Sequence, residues 1–364
     1  MNYCEKIQYK IYTTGFAGFP DMVDQLLTQL PEDEIIIRLC FFGTPSSNKE
    51  YISRYAVLRE KIRKCYGNNE PALSYVSQPP LNASLVMEVH SYRPESDDHI
   101  RFRKMGEMSY VVLENGCGRF LFAGGFQGDV VNSGIEQQSV DIFHSVSNVL
   151  KEEGFPINSI VRQWNYIELI TGFDKGNQHY QTFNNARSEF YAKTNWTNGY
   201  PAATGIGTNM GGVLVDLDAA VFTNSTCFAT PIDNKLQIAA HAYSDKVLDV
   251  SQSKKTTPKF ERAKSITCGK NRLVYISGTA AIRGEESLEG VGLERQLRIT
   301  MENIDQLLDG AKLSILRVYL KDKSYYEEAR KLMESYQLDI PVSYMCADVC
   351  RNELLIEIEG IAVQ

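Results

Sequence analysis

The chain has 364 residues, of which 43% are hydrophobic and 23% charged; this supports a sizeable core and exceeds the length of one ordinary domain. A formal net charge of −7 argues against a surface built to neutralise nucleic-acid phosphates, and no apolar run reaches the roughly 18 residues that a spanning helix needs. The opening Met1-Asn2-Tyr3-Cys4-Glu5-Lys6 has no basic flank ahead of an apolar stretch, so a soluble cytoplasmic protein with no nucleic-acid or membrane partner is expected.

Near the N-terminus, Ile36-Ile37-Arg38-Leu39 reads as a strand and residues 51–62 as a helix, followed by Ser74-Tyr75 and, further on, Glu88. Next, Tyr110-Val111-Val112-Leu113 and Arg119-Phe120-Leu121-Phe122-Ala123-Gly124-Gly125 flank an Asn115-Gly116 turn, the signature of a hairpin. A helix follows Glu136-Gln137-Gln138 and carries Phe143, Val146 and Leu150 on one side. Ile160-Val161-Arg162 is a strand, positions 180, 184, 187 and 191 share one face of a polar helix, and 200–218 hold two strands. The run Ser251-Gln252-Ser253-Lys254-Lys255-Thr256-Thr257-Pro258 is exposed loop by composition.

The C-terminal stretch repeats the middle one. Ser265-Ile266-Thr267 and Arg272-Leu273-Val274-Tyr275-Ile276-Ser277-Gly278 form a hairpin, and Leu297, Met301, Ile304 and Leu308 mark a helix. A strand at 315–320, a helix at 325–336 and a final strand pair after Pro341 complete the unit. Both units read β-β-α-β-α-β-β, and the N-terminus carries the second half of the same pattern, because Ser74-Tyr75 stands as far ahead of Glu88 as Ser343-Tyr344 stands ahead of Glu357. The chain therefore divides into a truncated unit at 1–104, a middle unit at 105–225, a connector at 226–261 and a last unit at 262–364. The expected class is α+β. Eight cysteines and five histidines are scattered with no C-x-x-C and no H-x-x-x-H, so neither a disulfide framework nor a metal is expected, and most cysteines read as small buried hydrophobes.

The hairpin ending in Tyr275-Ile276-Ser277-Gly278, the helix after it and the closing Ile356-Glu357-Ile358-Glu359-Gly360-Ile361-Ala362-Val363 resemble the Rid/YjgF family, a chorismate mutase-like fold, over about residues 262–364. Members of that family are trimers with ligand sites between subunits, so the resemblance implies that three linked units imitate a trimer in one chain. The family's imine deaminases use an arginine shortly after the proline that precedes the last two strands. Here that region reads Pro341-Val342-Ser343-Tyr344-Met345, with none. Three further motifs are similar to the chorismatase family: Arg162-Gln163-Trp164-Asn165-Tyr166-Ile167, the run from Tyr180-Gln181 through Phe183-Asn184 to Ala186-Arg187, and Pro201-Ala202-Ala203-Thr204-Gly205-Ile206-Gly207. This second resemblance, over about 105–364, implies release of pyruvate from chorismate without a cofactor, leaving a dihydroxycyclohexadiene carboxylate or a hydroxybenzoate. It also implies a small-molecule substrate and a monomer with self-association left open. The alternatives are a Rid-type deaminase and a metabolite-binding module without catalysis.

Hydrolysis of an enol ether begins with a proton delivered to carbon, which suits a carboxylic acid kept protonated by burial. Glu357, between Ile356 and Ile358, matches the family's catalytic glutamate; by alternation alone, Glu357 and Glu359 would share one solvated strand face. Cys350, placed on a neighbouring strand, is the second catalytic candidate, since a cysteine there resembles hydroxybenzoate formers, whereas Ala263 stands where those enzymes tend to have glycine. Arginine forks suit the two substrate carboxylates, and Arg187, Arg262 and Arg162 are the candidates. Tyr180, Asn184 and Tyr191 are candidate hydrogen-bonding groups. Thr204 and Gly205 belong to a glycine-rich stretch that precedes a strand, which excludes a dinucleotide fingerprint. Asp216 and Asp218 mirror Glu357 and Glu359 with shorter side chains and are expected to have lost any chemistry.

Overall fold

The computed structural model describes residues 3–174, 176–244 and 256–364, so most of the expected loop at 251–258 lies outside the described residues. The N-terminal part contains α1 (Tyr3–Lys6), β1 (Ile7–Thr14), α2 (Phe19–Leu27), β2 (Ile35–Phe42), α3 (Asn48–Tyr66), β3 (Ala72–Val76) and β4 (Leu85–Tyr92). The middle contains β5 (His99–Met105), β6 (Met108–Asn115), β7 (Gly118–Gln127), α4 (Ile135–Glu152), β8 (Ile160–Glu168), α5 (His179–Tyr191), β9 (Ala202–Thr208) and β10 (Val213–Phe222). The last part contains β11 (Cys227–Ile232), β12 (Ala263–Cys268), β13 (Asn271–Ala280), α6 (Gly292–Leu308), β14 (Lys312–Leu320), α7 (Tyr326–Glu334), β15 (Val342–Cys346) and β16 (Ile356–Val363). No helix among the described residues is long and apolar enough to cross a membrane.

The three larger sheets repeat one topology. Their orders are β3-β2-β4-β1, β9-β8-β10-β7-β6-β5 and β15-β14-β16-β13-β12-β11, and the pairs β2/β3, β8/β9 and β14/β15 are parallel. The first sheet has no counterpart of the two outermost strands of the others, and β1 and α2, which the sequence reading did not include, take the places that β7 and α4 hold in the middle unit. Two edge strands differ from the sequence expectation. β5 carries alternating charge and is largely exposed, and β11 lies inside what reads as a connector. Pro231 in β11 is tolerated because an edge strand has one row of N–H groups without sheet partners.

Each sheet packs one face on its own helices and the other on a core shared by all three. Ile356 and Ile358 of β16 join Leu297, Met301 and Ile304 of α6, while Phe42, Phe122, Trp164, Tyr275 and Tyr319 meet in the common core. With a side-chain period of two, Glu357 and Glu359 must therefore point away from the helices and toward the neighbouring units. They are buried there, not solvated.

At the centre the units interlock in a cycle. Arg38 of β2 pairs with Asp218 of β10 at 2.8 Å, Arg162 of β8 pairs with Glu359 of β16, and Arg317 of β14 pairs with Glu88 of β4 at 2.6 Å. The three arginines occupy equivalent positions, opposite His90, Asp218 and Glu359 in their own sheets. Their guanidinium carbons lie 4.8, 4.6 and 5.7 Å from the centroid of one indole, that of Trp164. The single chain thus reproduces a trimer, each unit lending an arginine to the carboxylate of the next. Four of the cysteines, though scattered in sequence, are buried in this shared core and come together there.

Candidate active site

Glu357 is set by a break in pairing. β13 and β16 run antiparallel, but their register slips between Ile276 and Thr279, which bows out Ser277 and Gly278 opposite the acid. A Cβ on Gly278 would lie 2.1 Å from Glu357 Oε1, so only glycine leaves room for the carboxyl. Gly278 N in turn donates to the Thr204 hydroxyl at 3.0 Å, which fixes the bulge against β9 of the middle unit.

The carboxyl opens into a cavity of about 480 Å³ between the middle and last units, a size that suits a small organic ligand. α5 contributes Tyr180 and Asn184, while the last unit contributes Gly278, Cys350 and Glu357, and Arg262 lies just ahead of β12. Burial raises the Glu357 carboxyl to about 8, the nearby charge of Glu359 adds to the rise, and Arg262 and Arg162 oppose it. It is therefore mainly protonated at neutral pH. Among the described residues no side chain hydrogen-bonds it, which distinguishes it from its counterparts on β4 and β10. Glu88 is gripped by Arg317 and His90, and Asp216 accepts from Ser74 at 2.6 Å and from Gly125 N at 2.8 Å. Of the three equivalent acids, only Glu357 is left with lone pairs facing a cavity.

Arg262 donates to the Ile238 carbonyl at 3.0 Å and to the Tyr243 hydroxyl, while its buried Nε has no hydrogen-bond partner among the described residues. An orphaned guanidinium donor on a cavity wall is suited to an incoming carboxylate. Arg187 lies behind that wall, where it donates to Asn184 Oδ1 at 2.6 Å, leaving the Asn184 amide N–H groups as the ones available to the cavity. Burial lifts the Tyr180 hydroxyl, so it stays a neutral donor.

Other expected site residues lie elsewhere. Arg162 is not on that cavity wall: in the dry centre its Nη2 donates to the Thr204 hydroxyl at 2.7 Å and meets Glu359, while its buried Nε and Nη1 have no hydrogen-bond partner among the described residues. The Tyr191 hydroxyl donates to Gln163 at 2.6 Å inside the fold. Ala263 is fully buried among the last unit's core residues, so it reaches the cavity only through its neighbour Arg262. Thr204 joins the bulge to the arginine cycle, and Gly205 makes room for the Tyr180 ring, since a Cβ there would meet Tyr180 Cε2 at 2.8 Å. Cys350 lines the cavity but sits in the loop between β15 and β16, not on a strand, and burial with the Glu357 charge pushes its thiol up to about 12. At neutral pH the thiol is therefore held protonated. Sequence reading passed over Gly278, Tyr243 and Phe260, which also line the cavity. The Ser-Gly that ends the β13 hairpin segment, matched by Gly124-Gly125 in the middle unit, was the available signal for Gly278.

The chain is related to the chorismatases. Residues 90–218 match the family model described as chorismatase FkbO/Hyg5-like, N-terminal. A 3-hydroxybenzoate synthase of Streptomyces hygroscopicus is 28% identical over 232 residues, covering 58% of this chain and 65% of that protein. A chorismatase of Streptomyces rapamycinicus is 25% identical over 240 residues, covering 60% of this chain and 68% of that one. The chain thus spans about two thirds of the length of these curated relatives. A crystal structure of a chorismatase superposes with a TM-score of 0.69 at 18% identity, covering 98% of both chains, which shows the shared fold.

Proposed function

We propose that this relative of the chorismatases is itself a chorismatase, which removes the enolpyruvyl group of chorismate as pyruvate with Glu357 as general acid. The observation that carries the reading is the buried Glu357 carboxyl, raised to about 8 and free of hydrogen-bond partners among the described residues, at the floor of a cavity walled by Arg262, Tyr180 and Asn184. Arg262 holds a substrate carboxylate, and Asn184, oriented by Arg187, holds a ring oxygen. Glu357 gives its proton to the methylene carbon, and the ether carbon becomes an oxocarbenium ion. Capture by water gives a hemiketal that collapses to pyruvate and a dihydroxycyclohexadiene carboxylate. Capture by the neighbouring ring hydroxyl carries that oxygen into pyruvate instead, and the ring loses a proton and aromatises to 3-hydroxybenzoate, with no net water consumed. The ionised Glu357 left by the first step accepts the proton released in the second. Because three units already close the ring of sheets, the chain acts as a monomer on this reading.

Incubation of the purified chain with chorismate, followed by a pyruvate assay, tests the reading; release no faster than the spontaneous rate would overturn it. Two substitutions probe the site further. Gly278→Ala is expected to force the Glu357 carboxyl from its place and to lower kcat about a hundredfold, the scale associated with an ångström of misplacement. Unchanged kcat would show that the bulge does not set the acid. Cys350→Ala is expected to raise the share of dihydrodiol relative to hydroxybenzoate, read by chromatography of the ring products; an unaltered ratio would remove the thiol from the choice of product.

A further inference from the structure

Four cysteines from four chain segments meet away from the Glu357 cavity. Cys117 lies in the turn between β6 and β7, Cys227 opens β11, and Cys268 closes β12 directly opposite Cys227 in antiparallel register. Their three Sγ atoms lie within 4.8 Å of one another, and all three residues are buried. Cys4, in α1, stands against Cys268 and donates its thiol to the Ile266 carbonyl at 3.5 Å.

A buried cysteine is usually a small hydrophobe, and one such residue would need no further account. Three mutually adjacent sulfurs with a fourth beside them are a different object, because they form a soft donor set with the count that a structural metal site requires. Zn–S bonds of about 2.3 Å place tetrahedral ligands roughly 3.8 Å apart. Sulfurs already within 4.8 Å need only side-chain rotation to reach that spacing. A divalent soft cation displaces the thiol protons on binding and offsets the repulsion between the resulting thiolates.

We propose that Cys117, Cys227 and Cys268, with Cys4 as fourth ligand, bind a thiophilic metal ion of the zinc class. Such an ion would tie the N-terminal helix, the middle hairpin, β11 and the last unit to one point, a staple across segments that meet only in the folded chain. It stands outside the machinery assigned to chorismate and does not depend on that assignment.

The test uses the full chain, stripped with a chelator under reducing conditions and titrated with Cd²⁺ while thiolate-to-metal absorption is followed in the ultraviolet. The expected result is saturation at one equivalent, release of protons on binding, a higher Tm, and loss of the absorption in Cys227→Ser and Cys268→Ser. Cys65→Ser, which alters an exposed cysteine outside the cluster, should keep it. Absence of absorption in the parent chain overturns the proposal even if the serine variants fail to fold, as does absorption that survives both substitutions. Recovery of a Cys227–Cys268 disulfide, with no cadmium uptake after its reduction, overturns it in favour of a redox pair.

Discussion

Glu357→Gln is expected to abolish pyruvate release while leaving a chain that resists alkaline unfolding better than the parent. Glutamine keeps the shape of the side chain and removes the transferable proton, and general acids of this kind contribute on the order of 10² to 10⁴ in rate. The stability effect follows from the raised carboxyl. Glu357 titrates near 8 in the folded chain against an ordinary value of 4.5, so its burial costs nothing below about pH 4.5 and progressively more as pH rises toward 8. At 1.36 kcal/mol per pH unit, about 3 kcal/mol of stability is lost by pH 7 through this one group. The glutamine variant has no such slope, whatever its constant cost. Urea unfolding of both chains at pH 5 and pH 8 should therefore show the difference between them moving in favour of the variant at the higher pH. In the parent, kcat/KM should be level below about pH 8 and fall tenfold per unit above it. A parent and variant with parallel stability profiles would mean that Glu357 is ionised in the folded chain, and the general-acid role would fall with it.

What could be read from the sequence follows from the range over which each interaction is encoded. The alternation of Ile356, Glu357, Ile358 and Glu359 fixes which side chains share a face, and the repeated order of elements fixes the sheet topology. Neither says what lies across the face. By alternation alone the two acids read as solvated, because the surfaces that cover them come from β8, β9 and α5, which belong to another unit. Arg162 read as a substrate clamp for the same reason: its partner Glu359 is 197 residues away, and no local pattern links them. The cysteine cluster is equally non-local, joining residues 4, 117, 227 and 268. β11 escapes the sequence pattern because Pro231 interrupts the strand signal, a penalty that an edge position removes. Cys350 reads as a strand residue because its spacing from Glu357 suits paired strands, whereas the chain turns through a loop there.

The arginine cycle carries the other large effect. Arg317→Leu is expected to destabilise the fold by about 3–5 kcal/mol, the usual result of removing one partner from a buried ion pair. Arg317 donates to both oxygens of Glu88 at 2.6 Å, to the Tyr166 hydroxyl at 2.7 Å and to Glu359 at 3.0 Å, all inside the fold. Burial alone would raise Glu88, but the Arg317 charge and the His90 hydrogen bond hold it far below the ordinary carboxylate range. In the parent, that depressed carboxyl contributes stability above about pH 4.5 that is lost only in strong acid. In the leucine variant Glu88 loses its main counter-charge, so it rises and resists ionising, and the variant is penalised most at neutral pH and least near pH 4. Glu359 suffers less, since Arg162, Thr204 and Tyr319 still hold it. The double variant Arg317→Leu with Glu88→Gln should therefore recover much of the loss at pH 7, because the stranded charge is gone and residues in one network are not additive. Equal stability of the single variant and the parent at pH 7 would show that the units are joined by their shared apolar core, with the arginines merely accommodated within it.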